Sequence, residues 1–223
     1  MSERFSDSLR ATATPIWDAI FRHPFLSQLG ASTLAEETFR FYICQDYHFL
    51  EGFARTVAIA LSKAPDSEAL LLLSKRVPVP IERELHRSLF SMLEMDVGDA
   101  EGMEPAPTNR AYINHLLSTA TLGSVGDAAA ALLPCPWTYH EIGQQLGQTE
   151  HPIYKSWASV YQQGFLAESV EAWRLLLDRA ATDAGEAQRR RMQDAFLTST
   201  ATSTCFGRWP TSERRGPCRG GGS

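Results

Sequence analysis

The 223-residue chain is 43% hydrophobic and 21% charged, the ordinary balance of a globular protein and enough to bury one core, which excludes a disordered chain and favours one domain. Its net charge of -5 argues against binding to nucleic acid through a basic face, because neutralised phosphates supply most of such affinity. The opening MSERFSDSLRATATPIW has no basic stretch followed by an apolar one, and no apolar run approaches the ~20 residues that span a bilayer, so a cytoplasmic protein without a membrane partner is expected.

Period-3.6 apolar patterning runs along the chain while alternating strand-like runs are missing, which predicts an all-α, single-domain helical bundle. The longest helix is expected after Thr33, which with Glu36 has the Thr-x-x-Glu spacing of a capping box, and it runs through Phe39, Tyr42, Ile43, Tyr47, Leu50, Phe53, Val57 and Leu61 to Ala64-Pro65. The next helix, EALLLLSKR, is interrupted by VPVP and resumes as IERELHRSLFSMLEM, since Pro78 and Pro80 lack the amide donor of an unbroken helix. VGDAEGMEPAPT is expected to be a loop. Helices follow around 109–122, 127–147, 152–163, 167–182 and 186–198, joined by the short connections of a bundle.

The most informative stretch is AALLPCPWTYHEIG, in which Pro134 and Pro136 bracket Cys135 inside an apolar helical pattern. If the helix restarts there, Cys135 sits at its N-terminal end, where free amides and the helix dipole favour thiolate and prime a nucleophile. Tyr139, four residues on, shares its face. The competing reading of a lone cysteine is a small buried core residue. The four cysteines, Cys44, Cys135, Cys205 and Cys218, form no CxxC pair and no metal-ligand spacing, so neither a disulfide framework nor a zinc site is expected. Asp46 lies mid-helix among Phe41, Tyr42, Tyr47, Phe49 and Phe53, where an unpaired carboxylate is costly to bury, which favours a function for it. His48 with Glu51 and Glu82 with His86 lack the paired Glu-x-x-His motifs of a di-iron bundle, and surface or core hydrogen bonding is the better reading of both.

QDYHFLEGFAR, PCPWTYHEIG and HPIYKSW, in that order and at these separations, resemble the hallmark segments of the TenA (thiaminase II) family, over the helical part from about residue 5 to 200. The resemblance implies a haem oxygenase-like bundle without haem, usually a homotetramer, needing neither metal nor organic cofactor. It implies an aminopyrimidine aminohydrolase that acts on 4-amino-5-aminomethyl-2-methylpyrimidine, and on thiamine, in thiamine salvage. Cys135 is then the nucleophile that adds to the pyrimidine ring and expels ammonia or thiazole before water completes hydrolysis. Asp46 accepts hydrogen bonds from the ring nitrogen and amino group, as suits a carboxylate facing an amidine-like edge. Phe49, Tyr112 and Tyr139 enclose the flat ring, and Tyr161 stands close to the cysteine; without the resemblance each of these aromatics reads as core. Phe49 departs from the family, where a tyrosine hydroxyl often assists the cysteine, which shifts thiol activation toward Tyr161.

Residues 1–200 are thus expected to form the helical domain and 201–223 an aberrant tail, because ATSTCFGRWPTSERRGPCRGGGS has the Gly, Ser, Thr and Arg content of a disordered segment. Members of the family continue instead with Tyr-Glu-x-x-Phe-Trp, whose glutamate is a general acid and base. That motif is missing here, yet ATSTCFGRWPT can be written in codons that, shifted by one base, spell Arg-Tyr-Glu-Tyr-Leu-Phe-Trp-Glu-Met-Ala-Tyr. A one-base frameshift from Ala201 then puts Ser203 where the glutamate belongs, with loss of activity and an uncovered apolar groove as consequences. Two rivals stand beside the hydrolase: a non-catalytic pyrimidine-binding or regulatory protein, and a bundle oxidase or di-iron protein, against which the missing ligand set argues.

Overall fold

Every stretch with a 3.6-residue apolar period folds as helix in the computed structural model, which describes residues 4–77 and 80–203; among them there is no strand. Three short helices, α1 (Phe5–Thr12), α2 (Thr14–Phe21) and α3 (Pro24–Gly30), lead into the long central α4 (Glu36–Leu61). Then come α5 (Ser67–Ser74), α6 (Pro80–Met92), α7 (Val97–Gly102), α8 (Pro107–Leu122), α9 (Val125–Leu132), α10 (Pro134–Gln145), α11 (Pro152–Gln162), α12 (Leu166–Thr182) and α13 (Glu186–Ser203). No described helix is long and apolar enough to cross a membrane.

Two local expectations are corrected. The Thr33–Glu36 capping box does not form: Thr33 donates its hydroxyl to the Gln28 carbonyl at 3.4 Å, and α4 begins after Ala35. The expected loop after Met95 holds the short helix α7, because Asp96 and Asp99 cap it reciprocally. Helix α5 ends at Ser74 and α6 begins at Pro80, on either side of the expected break, whose Pro78 lies outside the described residues, and α13 runs three residues past the expected end of the helical domain. The tail expected to be aberrant lies outside the described residues from residue 204 onward.

Helix α4 is buried on several sides, with Phe39, Ile43, Phe49 and Val57 in the core and α7, α8 and α9 packed along it. Its buried Gln45 is fully used: the side-chain amide donates to the Glu104 carbonyl at 3.1 Å and its oxygen accepts from the Ala106 amide at 2.7 Å, which pins the start of α8 to α4. The run of alanines in α9 lets α8, α12 and α13 approach closely. Where α10 meets α11, Gly143 has no room for a side chain, since a Cβ there would run into the Tyr161 backbone. This contact sets the height at which Tyr161 faces α10. We therefore expect Gly143→Ala to destabilise the fold by about 1–3 kcal/mol through overpacking and to reduce turnover with it, as a denaturant titration and a rate measurement on the same preparation will read.

Candidate active site

Two cavities meet at the bracketed cysteine. The larger, about 260 Å³, lies between α4, α6, α10, α11 and α12 and is lined by Asp46, Glu82, Cys135, Tyr139 and Tyr161, with Lys75, Arg76 and Glu168 also bordering it. The smaller, about 50 Å³, is bordered by Tyr42, Thr138 and Trp157, and shares Cys135 and Tyr139 with the first. The larger has room for a flat heterocycle and the smaller for a few water-sized molecules.

Cys135 is half-buried at the start of α10, which follows α9 with almost no break in the helical backbone. Leu133 keeps right-handed helical dihedrals between α9 and α10, its amide bonds to the Ala129 carbonyl at 3.0 Å, and the Trp137 amide bonds back to Leu133 at 3.2 Å. Pro134 and Pro136 have no amide to offer. Burial is the largest influence and pushes the Cys135 thiol well up from its ordinary value, and the nearby carboxylates Asp46 and Glu82 push it further. These surroundings work against the expected thiolate and favour the neutral thiol.

The tyrosines form a hydroxyl cluster around the sulfur. Tyr139 shares a 2.9 Å hydrogen bond with Tyr42, and its ring packs on Tyr161 with centroids 5.1 Å apart. Burial raises all three phenols well above their usual range, with Asp46 contributing to each. They remain neutral hydroxyls that donate or relay hydrogen bonds rather than bases. Tyr42 was legible in the sequence only as a core aromatic.

Asp46 is 6% exposed and is held by a group 40 positions away: His86 Nε2 lies 2.9 Å from Asp46 Oδ2. His86 stacks on Phe90 and also touches Tyr47, so its ring is fixed. The core reading of His86 is thus correct, but its partner is the candidate substrate carboxylate, which puts it beside the site. Glu82 lines the larger cavity, and its hydrogen bond is to its own backbone. His48 bonds the Ala100 and Met103 carbonyls at 2.8 Å each, and Glu51 pairs with Arg55 on the surface, both as expected.

Tyr112 and Phe49 are almost wholly buried, their rings 5.1 Å apart, and neither borders the two cavities. Tyr112 still reaches the site: its hydroxyl accepts from Ser203 Oγ at 3.2 Å, and its phenol is raised first by burial and next by Cys135. Ser203, the last described residue, borders the smaller cavity with Cys135. Among the described residues no group of three or more His, Cys, Asp or Glu side chains is placed to hold a metal ion.

Comparison with known proteins adds four findings. Residues 10–214 match the TENA/THI-4/PQQC family. The chain is 32% identical over 216 residues to an aminopyrimidine aminohydrolase of Halalkalibacterium halodurans, covering 94% of this chain and 96% of that one. It superposes on a TenA homologue from P. horikoshii with a TM-score of 0.84 at 31% identity, over 92% of this chain and 97% of that one. A Shewanella denitrificans domain with a heme oxygenase-like fold, at TM-score 0.71 and 14% identity over 91% of this chain and 90% of that one, shares the architecture.

Proposed function

This chain belongs to the TENA/THI-4/PQQC family, and we propose that it is a hydrolase of C–N bonds that converts 4-amino-5-aminomethyl-2-methylpyrimidine, and thiamine by the same route, to hydroxymethylpyrimidine in thiamine salvage. The observation that carries this reading is the placement of Cys135 at the junction of the two cavities, with a buried carboxylate and three tyrosines around it. Asp46, oriented by His86, takes the amidine edge of the ring; Tyr139 and Tyr161 flank its faces. Phe49 supports Tyr112 from behind, and Tyr112 contacts the site through its hydroxyl.

In this reaction the Cys135 sulfur bonds to the pyrimidine ring, the exocyclic amine leaves as ammonia, water adds to the exposed exocyclic carbon, and release of the sulfur restores the aromatic ring. The chemistry needs a group that keeps the leaving amine protonated and takes the proton of the attacking water. Ser203 occupies the position of that group, so the chain as written is an impaired catalyst. We place it in the cytoplasm, as a homotetramer, working on a small pyrimidine without nucleic acid, membrane, metal or organic cofactor.

The test is ammonia release from the aminomethylpyrimidine by the purified chain and by one carrying the frame-restored tail. Silence from a folded, restored chain that still binds the pyrimidine overturns the hydrolase in favour of a binding or regulatory protein, the reading that the serine at position 203 favours. Within the site, Asp46→Asn is expected to lower kcat/KM by about 10- to 100-fold, the worth of a charge-assisted hydrogen bond, read in the same assay. An unchanged KM and kcat would show that Asp46 does not touch the ring.

A further inference from the structure

Glu82 stands one helical turn before His86 on α6 and lines the larger cavity with Cys135 and Asp46. Nothing in the fold accounts for it: among the described residues it forms no ion pair, and its hydrogen bond is to its own backbone. A half-buried carboxylate without a cation is costly, more so beside a second carboxylate. Among the described residues no cation forms an ion pair with Glu82, although Arg76 borders the same cavity with its Nε unbonded and His86 acts on the Glu82 carboxyl through space. His86 is engaged by Asp46, and the Arg76 guanidinium donates to the Leu72 carbonyl at 2.5 Å and the Glu168 carbonyl at 3.4 Å. Lys75 is exposed, and Glu168 borders the same cavity as a further negative charge. Cys135, Tyr139 and Tyr161, facing Glu82 from α10 and α11, supply no positive charge.

We propose that Glu82 is the specificity residue for the leaving group: its carboxylate receives the ammonium of the substrate's aminomethyl substituent, or the cationic thiazolium of thiamine, while Asp46 holds the ring. This rests on the aminopyrimidine reading above. A primary amine is protonated at neutral pH and the hydroxymethyl product is neutral, so the site grips what it must cleave and loosens on what it has made. Burial first, and then Asp46, raise the Glu82 carboxyl, and both carboxylates hold the Cys135 thiol up. A bound cation between them offsets that charge, so the nucleophile ionises more readily with substrate in place.

Calorimetric titration of the full chain carrying Cys135→Ser, which binds without turnover, separates the possibilities. Adding Glu82→Gln is expected to weaken the aminomethylpyrimidine by about 10- to 100-fold and to leave the hydroxymethylpyrimidine within about twofold, while Glu82→Asp keeps part of the preference. In chains that retain the cysteine, Glu82→Gln speeds iodoacetamide alkylation of Cys135 at neutral pH, followed by peptide mapping, because one of the two charges opposing the thiolate is gone. Equal loss of both ligands, or no change in either together with unchanged alkylation, overturns the assignment. If the parent chain binds neither pyrimidine, the aminopyrimidine reading itself falls.

Discussion

Replacing Cys135 by alanine in the frame-restored chain is expected to reduce ammonia release by about 10³-fold or more, because no other group at the junction of the cavities can form the covalent bond that splits the reaction into two easier steps. The neighbours are three neutral tyrosines, a threonine, two carboxylates and the residue at position 203, a glutamate in the restored chain; none matches the nucleophilicity of a thiolate. The substitution removes one sulfur from a half-buried position, so the fold is expected to survive and the pyrimidine to bind. The pH dependence follows from the raised thiol. Fewer molecules carry the thiolate at neutral pH than for an ordinary cysteine, so kcat/KM of the free enzyme climbs as pH rises into the alkaline range. A rate that is level from pH 7 to 9, or an alanine variant that keeps more than a tenth of the activity, would show that the sulfur is not the attacking atom.

Ser203→Glu is expected to raise turnover of the chain as written by about 10²-fold, the lower end of what a positioned acid and base contributes. The serine hydroxyl lies 3.2 Å from Tyr112 and borders the same small cavity as Cys135, so a longer carboxylate side chain at this position reaches the space where ammonia departs and water arrives. The cavity holds only a few water-sized molecules, and a carboxylate beside the tyrosine hydroxyls has donors to receive it. Restoring the whole segment as Arg-Tyr-Glu-Tyr-Leu-Phe-Trp-Glu-Met-Ala-Tyr is expected to add stability as well, since each newly buried large side chain contributes about 1.5–3 kcal/mol. Thermal denaturation and initial rates of the two variants separate the contributions: the point substitution acts on rate, and the restored segment on rate and Tm together. A folded Ser203→Glu chain no faster than its parent would place the acid and base elsewhere.

Much of this protein is readable from its residues in order. The 3.6-residue periodicity and the prolines mark most helices and the break before α6, because a helix needs only a continuous apolar stripe and an unbroken ladder of amides. Pro134 and Pro136 point to Cys135, and the three hallmark segments carry the family and its fold. Asp46 stands out as a carboxylate too deep in an apolar helix to be idle. What adjacency in the chain could not convey is the charge state of these groups. A helix start at Cys135 argued for thiolate, but the thiol is buried, and Asp46 and Glu82 act on the sulfur from α4 and α6. The same holds for His86 on Asp46, for Glu82 turned into the cavity and for Ser203 beside Tyr112. Helix formation is decided by neighbours three and four residues apart, so sequence determines it; ionisation and reactivity are decided by burial and by charges that meet through space, and only the tertiary packing settles those.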